Sequence, residues 1–344
     1  MIALCAWGFD ALLVVLHGKR VALTVQGVSF AVLMLLPFVW MVRNHPNECV
    51  YFNEAFGGTK AAVGEYETDY WMNSTKEMAN WFKRTHKAEL DAATKAGKEI
   101  VIATDCIDQF EYEIKRQYPC VRVSYMRYHN RQEKPWQYAF FVARYIDPGF
   151  LKNGWFPNDK AIYTAKADGA AIGVVLERKE GYDFEGEKAF KAQNIAAADS
   201  LWHLEIAKYP HEEGVYDNLA NLYLQTNRPD AAKPLIDKVL AAAPTFVDAL
   251  LLEGQYYMTK QDWNRAETTY GRIIELNDRM SNAYYYIGLA KAQKGDLDGA
   301  LEVLNKCIDG APNFTQAYQL AASILDRKGD HAAAQRYMQA ARQQ

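Results

Sequence analysis

From about residue 179 to the C-terminus the chain repeats itself every 34 residues, and a period of that size leaves few folds open. Ala198, Ala232, Ala266, Ala300 and Ala334 are spaced 34 apart. Pro210, Pro244 and Pro312 close successive units, with Asp278 standing in once. Tyr216, Leu250, Tyr284 and Tyr318 hold a large residue, Gly254 and Gly288 a small one four residues later, and Tyr223 and Tyr257 the next aromatic. Small residues let the two helices of a hairpin approach closely, while large ones fill the space to the next hairpin, so each unit buries its face against its neighbours. The spacing predicts helical hairpins over 181–344, about four regular and one degenerate, that fold by themselves after a cut near residue 182.

These residues resemble the tetratricopeptide repeat over about 213–344, with a degenerate unit before them. The resemblance implies a groove lined by the first helix of each hairpin, and a protein or peptide partner. Asp217, Asn221, Gln225, Asp248, Gln255, Asn282, Tyr285, Gln293, Gln316 and Gln319 stand at the positions that point inward. The candidate partner-binding set among them is Asn221, Gln225, Gln255, Asn282, Tyr285, Gln316 and Gln319. This row is neutral to acidic and rich in amides, whereas repeats that grip acidic chaperone tails use lysines and arginines. An uncharged, extended segment is the expected occupant. The alternative is ordinary solvated surface.

The opposite end of the chain is apolar. Val21–Val42 runs for twenty-two residues without a charge, and as a helix it would span roughly 33 Å, enough for the hydrocarbon core of a bilayer. Residues 2–17 form a second apolar run, short for a span and interrupted by Asp10. It has neither the basic start nor the cleavage site of a signal peptide, and reads as a partial transmembrane helix. Residues 1–43 are thus expected to be transmembrane helices, 2–17 partial and 21–42 full. His17-Gly18-Lys19-Arg20 lies between them, and basic residues favour the cytoplasmic side. That places 44–344 outside the cytoplasm; Arg43 at the far end argues the other way.

Residues 44–180 mix helix and strand signals and predict a small α/β or α+β domain. Ser74-Thr75-Lys76-Glu77 reads as a capping box opening a helix that carries Met78, Trp81, Phe82 and Leu90 and ends at Gly97. Strands are expected at 99–104, 121–128, 138–146, 162–166 and 171–178, a helix at 108–118, and a tight hairpin at Asp168-Gly169. A net charge of -3 and a pI near 6.2 gather neither nucleic acid nor anionic lipid. Cys5, Cys49, Cys106, Cys120 and Cys307 are too scattered for a disulfide framework. The seven histidines show no metal spacing, and no phosphate loop or nucleophile elbow appears, so neither metal nor cofactor is expected.

The junction between the apolar run and this domain has a resemblance of its own. His45-Pro46, Tyr51-Phe52-Asn53-Glu54, Gly57-Gly58 and Asp69-Tyr70-Trp71, followed by the Trp81 helix, are similar to C-type membrane glycosyltransferases of the protein mannosyltransferase and aminoarabinose transferase kind. The resemblance covers about 21–178. It implies sugar transfer from a polyprenyl-phosphate donor, with the catalytic acid in a first outer loop many helices upstream. On that reading the chain is the C-terminal region of such an enzyme and holds no catalytic residue itself. Tyr51, Asn53, Asp69, Tyr70 and Trp71 are then candidate saccharide contacts, or a structural knot at the membrane surface. Asp105 and Asp108, at the end of a strand, stand where a catalytic carboxylate or a helix-dipole partner would. The competing expectation is a non-enzymatic, membrane-anchored repeat scaffold of the cell envelope.

Overall fold

A computed structural model describes residues 19–45, 47, 52, 57–69 and 72–342. The chain is mostly helical, a repeat solenoid with a small sheet region and one long apolar helix near its N-terminus. Two compact units divide it. The first holds the described residues through Tyr125, with Gln137–Ile146 and Ala161–Glu177; the second holds Met126–Trp136, Asp147–Lys160 and Arg178 onward.

In the first unit, helix α1 (Lys19–Asn44) contains Pro37 within its apolar run. Its stretch Thr24–Asn44 has a mean hydropathy of 2.0 and is long and apolar enough to cross a membrane. Val28, Phe30, Leu35, Phe38 and Val42 are exposed along it. Trp40 is the exception, buried in the core of the unit. Asn44 fixes this end by donating to the Trp40 carbonyl at 3.0 Å and accepting from the Asp168 amide. Residues 2–17 lie outside the described residues.

Helix α2 (Asn73–Thr85) starts one residue before the predicted cap, and the capping box does not form. Asp69 supplies the cap instead. It is fully buried and accepts from the amides of Asn73 (2.8 Å) and Ser74 (3.2 Å) and from the Ser74 hydroxyl. Glu77, thereby released, accepts from Asn47 Nδ2 at 2.7 Å and from the Tyr163 hydroxyl at 2.5 Å. The predicted single helix breaks at His86, and α3 (Lys87–Ala96) follows. It ends at Gly97, whose φ of 62° is the left-handed conformation that glycine adopts without strain.

The strands are β1 (Ile100–Thr104), β2 (Val121–Tyr125), β3 (Tyr138–Val142), β4 (Ala161–Ala167) and β5 (Ala170–Glu177), in the order β2-β1-β3-β5-β4. β1 runs parallel to β2 and β3, pairing Ile102 with Val123 on one side and with Tyr138 on the other. β3 and β5 are antiparallel, as are β4 and β5. β1 and β3 are buried at every residue, as expected of strands covered on both faces. Asp168 and Gly169 turn the predicted hairpin with φ of 50° and 75°, both left-handed as a type I′ turn requires. Met78, Phe82 and Leu90 are fully buried against this sheet, with Phe140 and Val175.

The second unit is built from helical hairpins. Among the described residues they are α4 (Tyr182–Lys191) with α5 (Ile195–Lys208), α6 (Glu213–Gln225) with α7 (Pro229–Ala242), α8 (Val247–Thr259) with α9 (Trp263–Leu276), α10 (Ser281–Lys294) with α11 (Leu297–Gly310), and α12 (Thr315–Arg327) with α13 (His331–Arg342). The alanines of the 34-residue register are all buried where the helices meet. Gly254 shows why that register needs small residues: a Cβ there would lie 2.5 Å from the Tyr270 ring. Met126–Trp136 and Asp147–Lys160 pack onto the first hairpins. A Cβ on Gly149 would lie 2.5 Å from Ala243 Cα, and Asn153 Nδ2 donates to the Ala242 carbonyl at 2.7 Å. The cut near residue 182 proposed from sequence would strip these segments from the repeats.

Candidate binding groove and the charged cluster beside it

The predicted groove residues all lie on the first helices of successive hairpins. Asn221 and Gln225 are on α6, Gln255 on α8, Asn282 and Tyr285 on α10, Gln316 and Gln319 on α12. Gln225, Gln316 and Gln319 are exposed and the others half-buried. Asn221 Oδ1 accepts from Gln225 Nε2 at 3.2 Å, and the Tyr285 ring packs on Phe314 with centroids 5.4 Å apart. Ring and amide faces of this kind suit an extended peptide, whose backbone groups need partners.

Beside the groove lies a cluster that sequence reasoning missed. Lys160 is buried, with Nζ 3.0 Å from Asp183 Oδ2, 3.8 Å from Glu212 Oε1, and in contact with Glu205 Oε1. Arg178 donates to Asp183 Oδ2 at 2.8 Å and lies over the Trp136 ring, 3.9 Å from its centroid. Arg131 makes a two-pronged contact with Glu213, Nη1 to Oε1 at 2.5 Å and Nη2 to Oε2 at 2.8 Å, and its Nη2 is 2.9 Å from Glu212 Oε2. His129 Nδ1 is 3.0 Å from Glu213 Oε1. Four buried carboxylates thus face three buried cations from the segments that precede the repeats.

Those partners divide the carboxylates. Burial works to raise Asp183, but Lys160 and Arg178 hold it below the usual range. Burial likewise opposes ionisation of Glu213, and Arg131 with His129 overcomes it, bringing the carboxyl to about 2. Glu205 goes the other way. Burial pushes it up to about 7, because the one Lys160 ammonium is shared with Asp183 and Glu212 and cannot offset all three. Glu212 is raised by burial too, against the pull of Arg131 and Lys160.

Oxygens of Asp183, Glu205 and Glu212 lie within 4.8 Å of one another, close enough to hold a metal ion. The Lys160 ammonium occupies that position. The cluster is therefore an ion-pair network joining the preceding segments to the first two hairpins.

One sequence signal points to it. Glu205 shares its place in the repeat with Val239, Ile273, Cys307 and Ala341, 34 residues apart, all of them buried and apolar. A glutamate in that column calls for a buried cation. At the junction, Asp69 is used up as a helix cap and offers no face to a saccharide; Tyr51, Asn53, Tyr70 and Trp71 lie outside the described residues. Asp105, at the end of β1, accepts from the Cys106 thiol at 3.3 Å, and burial raises its carboxyl to about 7. Asp108 follows it in a short helix, Ile107–Phe110. Cys106, Cys120 and Cys307 are free thiols.

Comparison with known proteins agrees with the register. Residues 218–263 and 251–313 match one sequence profile of the tetratricopeptide repeat, and 315–341 match another. Anaphase-promoting complex subunit 3 of Schizosaccharomyces pombe is 22% identical over 144 residues, 38% of this chain and 22% of that protein, so the match spans about a fifth of the relative's length. Among solved structures, a crystal structure of MamA is 24% identical with a TM-score of 0.42, over 46% of this chain and 92% of that one. MamA 41-end from Desulfovibrio magneticus RS-1 is 17% identical with a TM-score of 0.43, over 47% and 92%. Residues 218–341 of this chain are tetratricopeptide repeats.

Proposed function

We propose that this chain is a membrane-tethered adaptor whose repeats hold an extended segment of a partner protein. The observation that carries this reading is the row of amide and aromatic side chains along α6, α8, α10 and α12. A photo-crosslinking residue at Gln255 or Gln316 should give discrete adducts that Tyr285→Ala abolishes, whereas one at exposed Glu302, on a second helix, should give none. Equal adducts from both faces would refute the groove. The tether is α1, and the basic Lys19-Arg20 start favours an extracytoplasmic position for 44–344. A cysteine at exposed position 323, in a background without the native thiols, should label in intact cells. Labelling only after permeabilisation would reverse the orientation.

The junction supports a second reading, in which the chain is the C-terminal region of a membrane glycosyltransferase. His45, Asn53 and Trp71 belong to the motif that favours it. The chain would then hold a polyprenyl-phosphate sugar without transferring it. Quenching of tryptophan fluorescence by a short polyprenyl-phosphate mannose, lost in Trp71→Ala, would support this; turnover by the purified chain or no binding would count against it.

A further inference from the structure

The 34-residue register sets two carboxylates at the same place in successive hairpins, Asp183 on α4 and Asp217 on α6. The first is met by Lys160 Nζ at 3.0 Å and by Arg178 Nη2 at 2.8 Å. Among the described residues, the second has no such ion pair. Asp217 Oδ1 is shielded from solvent and accepts no hydrogen bond among the described residues. A carboxylate oxygen in that state is costly unless something arrives to satisfy it.

Its surroundings say what that is. The charged groups facing Asp217 are Asp248, at the start of α8, and Glu213, one turn back on α6. Glu213 is already engaged by Arg131. Asp248 is faced in turn by His129, Arg127 and Glu133. A divalent cation would need a ring of several oxygen donors, and among the described residues only the carboxylates of Asp217 and Asp248 are left to supply them, Glu213 being held by Arg131. Leu251, at the equivalent place one hairpin on, is half-buried and offers apolar surface for an aliphatic stem. Asn221, one turn along α6, offers an amide.

We propose that Asp217, with Asp248 beside it, receives a lysine or arginine side chain of the partner segment, repeating one hairpin along the contact Lys160 makes with Asp183. This rests on the groove reading and narrows its partner from an uncharged segment to one with a basic residue. Burial, with Asp248 and Glu213 near, holds the unoccupied Asp217 carboxyl well above the usual range. An arriving cation would displace its proton, so affinity should climb as pH rises.

The test is selection of dodecapeptides from a random phage library against the full chain in lipid nanodiscs, followed by fluorescence anisotropy of the enriched peptide. The enriched set should share a Lys or Arg at one position. Binding should weaken about tenfold or more in Asp217→Asn and on replacing that basic residue by Met. It should tighten between pH 6 and pH 8 in the wild type but not in Asp217→Asn. A melting temperature for Asp217→Asn at or above the wild type shows that the fold is kept; were it lower, Asp248→Asn would serve as the second variant. Peptides that depend on Tyr285 but are indifferent to Asp217 overturn this inference and leave the groove standing. Peptides that bind without needing Tyr285, or none at all, overturn both.

Discussion

Replacing Lys160 by Met removes one buried charge and keeps most of the volume. Its Nζ touches carboxylates of Asp183, Glu205 and Glu212, and its side chain is 1% exposed. Arg178 remains for Asp183 and Arg131 for Glu212, but Glu205 has no other cation among its ion pairs. Removing one member of a buried pair costs about 3–5 kcal/mol, since the remaining charge is left uncompensated. For a unit of about 150–250 residues, each kcal/mol shifts the midpoint by about 2–4 °C, so the repeat transition should fall by about 6–20 °C. Differential scanning calorimetry on the detergent-solubilised chain reads this directly, with Lys328→Met as the control. Lys328 pairs with Asp298 at the surface, where such a pair is worth about 1 kcal/mol or less. Lowering the pH should restore part of the Lys160→Met loss, because protonation discharges the stranded carboxylates. If Lys160→Met melts within about 2 °C of the control, the cluster is not what joins the preceding segments to the repeats.

Stability of the repeat unit should peak near pH 4.5, where the windows of Glu205 and Glu213 meet. Glu205, raised to about 7, holds its proton more tightly in the native state, so its contribution is lost as pH rises from its unfolded value near 4.5 to about 7; Glu213, lowered to about 2, loses its contribution as pH falls below its unfolded value near 4.5. Glu205→Gln should flatten the alkaline limb of a midpoint-versus-pH curve and leave the acid limb. A fragment beginning at 183 should fail to melt cooperatively at pH 7, since it lacks Arg131, Lys160 and Arg178 but keeps their carboxylates; a cooperative circular-dichroism melt matching the full chain would contradict this. Ala266→Phe, at a fully buried helix contact, should cost about 1–3 kcal/mol by overpacking. Lys260→Ala, at an exposed pair with Asp230, should stay within about 0.5 kcal/mol in the same denaturant titration.

Local rules made the hairpins legible. Ala198 through Ala334, and the left-handed pair Asp168-Gly169, are dictated by contacts close in sequence, where spacing and turn chemistry suffice. Ser74 and Glu77 misled because a buried acid five residues upstream of Ser74 competed for the same amides. Arg131 and Lys160 were invisible for a different reason. Each lies some fifty or more residues before a carboxylate it meets, Arg131 before Glu213 and Lys160 before Glu212, and no period links them. The groove amides could be placed on their helices from the register alone, but Asp217 looked like one more polar position. Its lack of a partner is a property of packing.

Among the described residues, the segments that brace α4 through α8 meet the stack at the turn Ala243–Phe246, through Gly149, Asn153 and Phe150, and at Asp248 on the start of α8. Beyond it, among the described residues, α10 to α13 pack chiefly on neighbouring helices of the stack, so opening there needs only one interface to part at a time. Compliance should therefore be graded along the solenoid, with amide hydrogens around Trp202 and Leu219 exchanging only through global unfolding and those around Ile324 through local fraying. A partner lying along the groove would feel a fixed anvil at its acidic end and a yielding one at the other. Seating would begin where the frame is stiff and close by bending the free end inward.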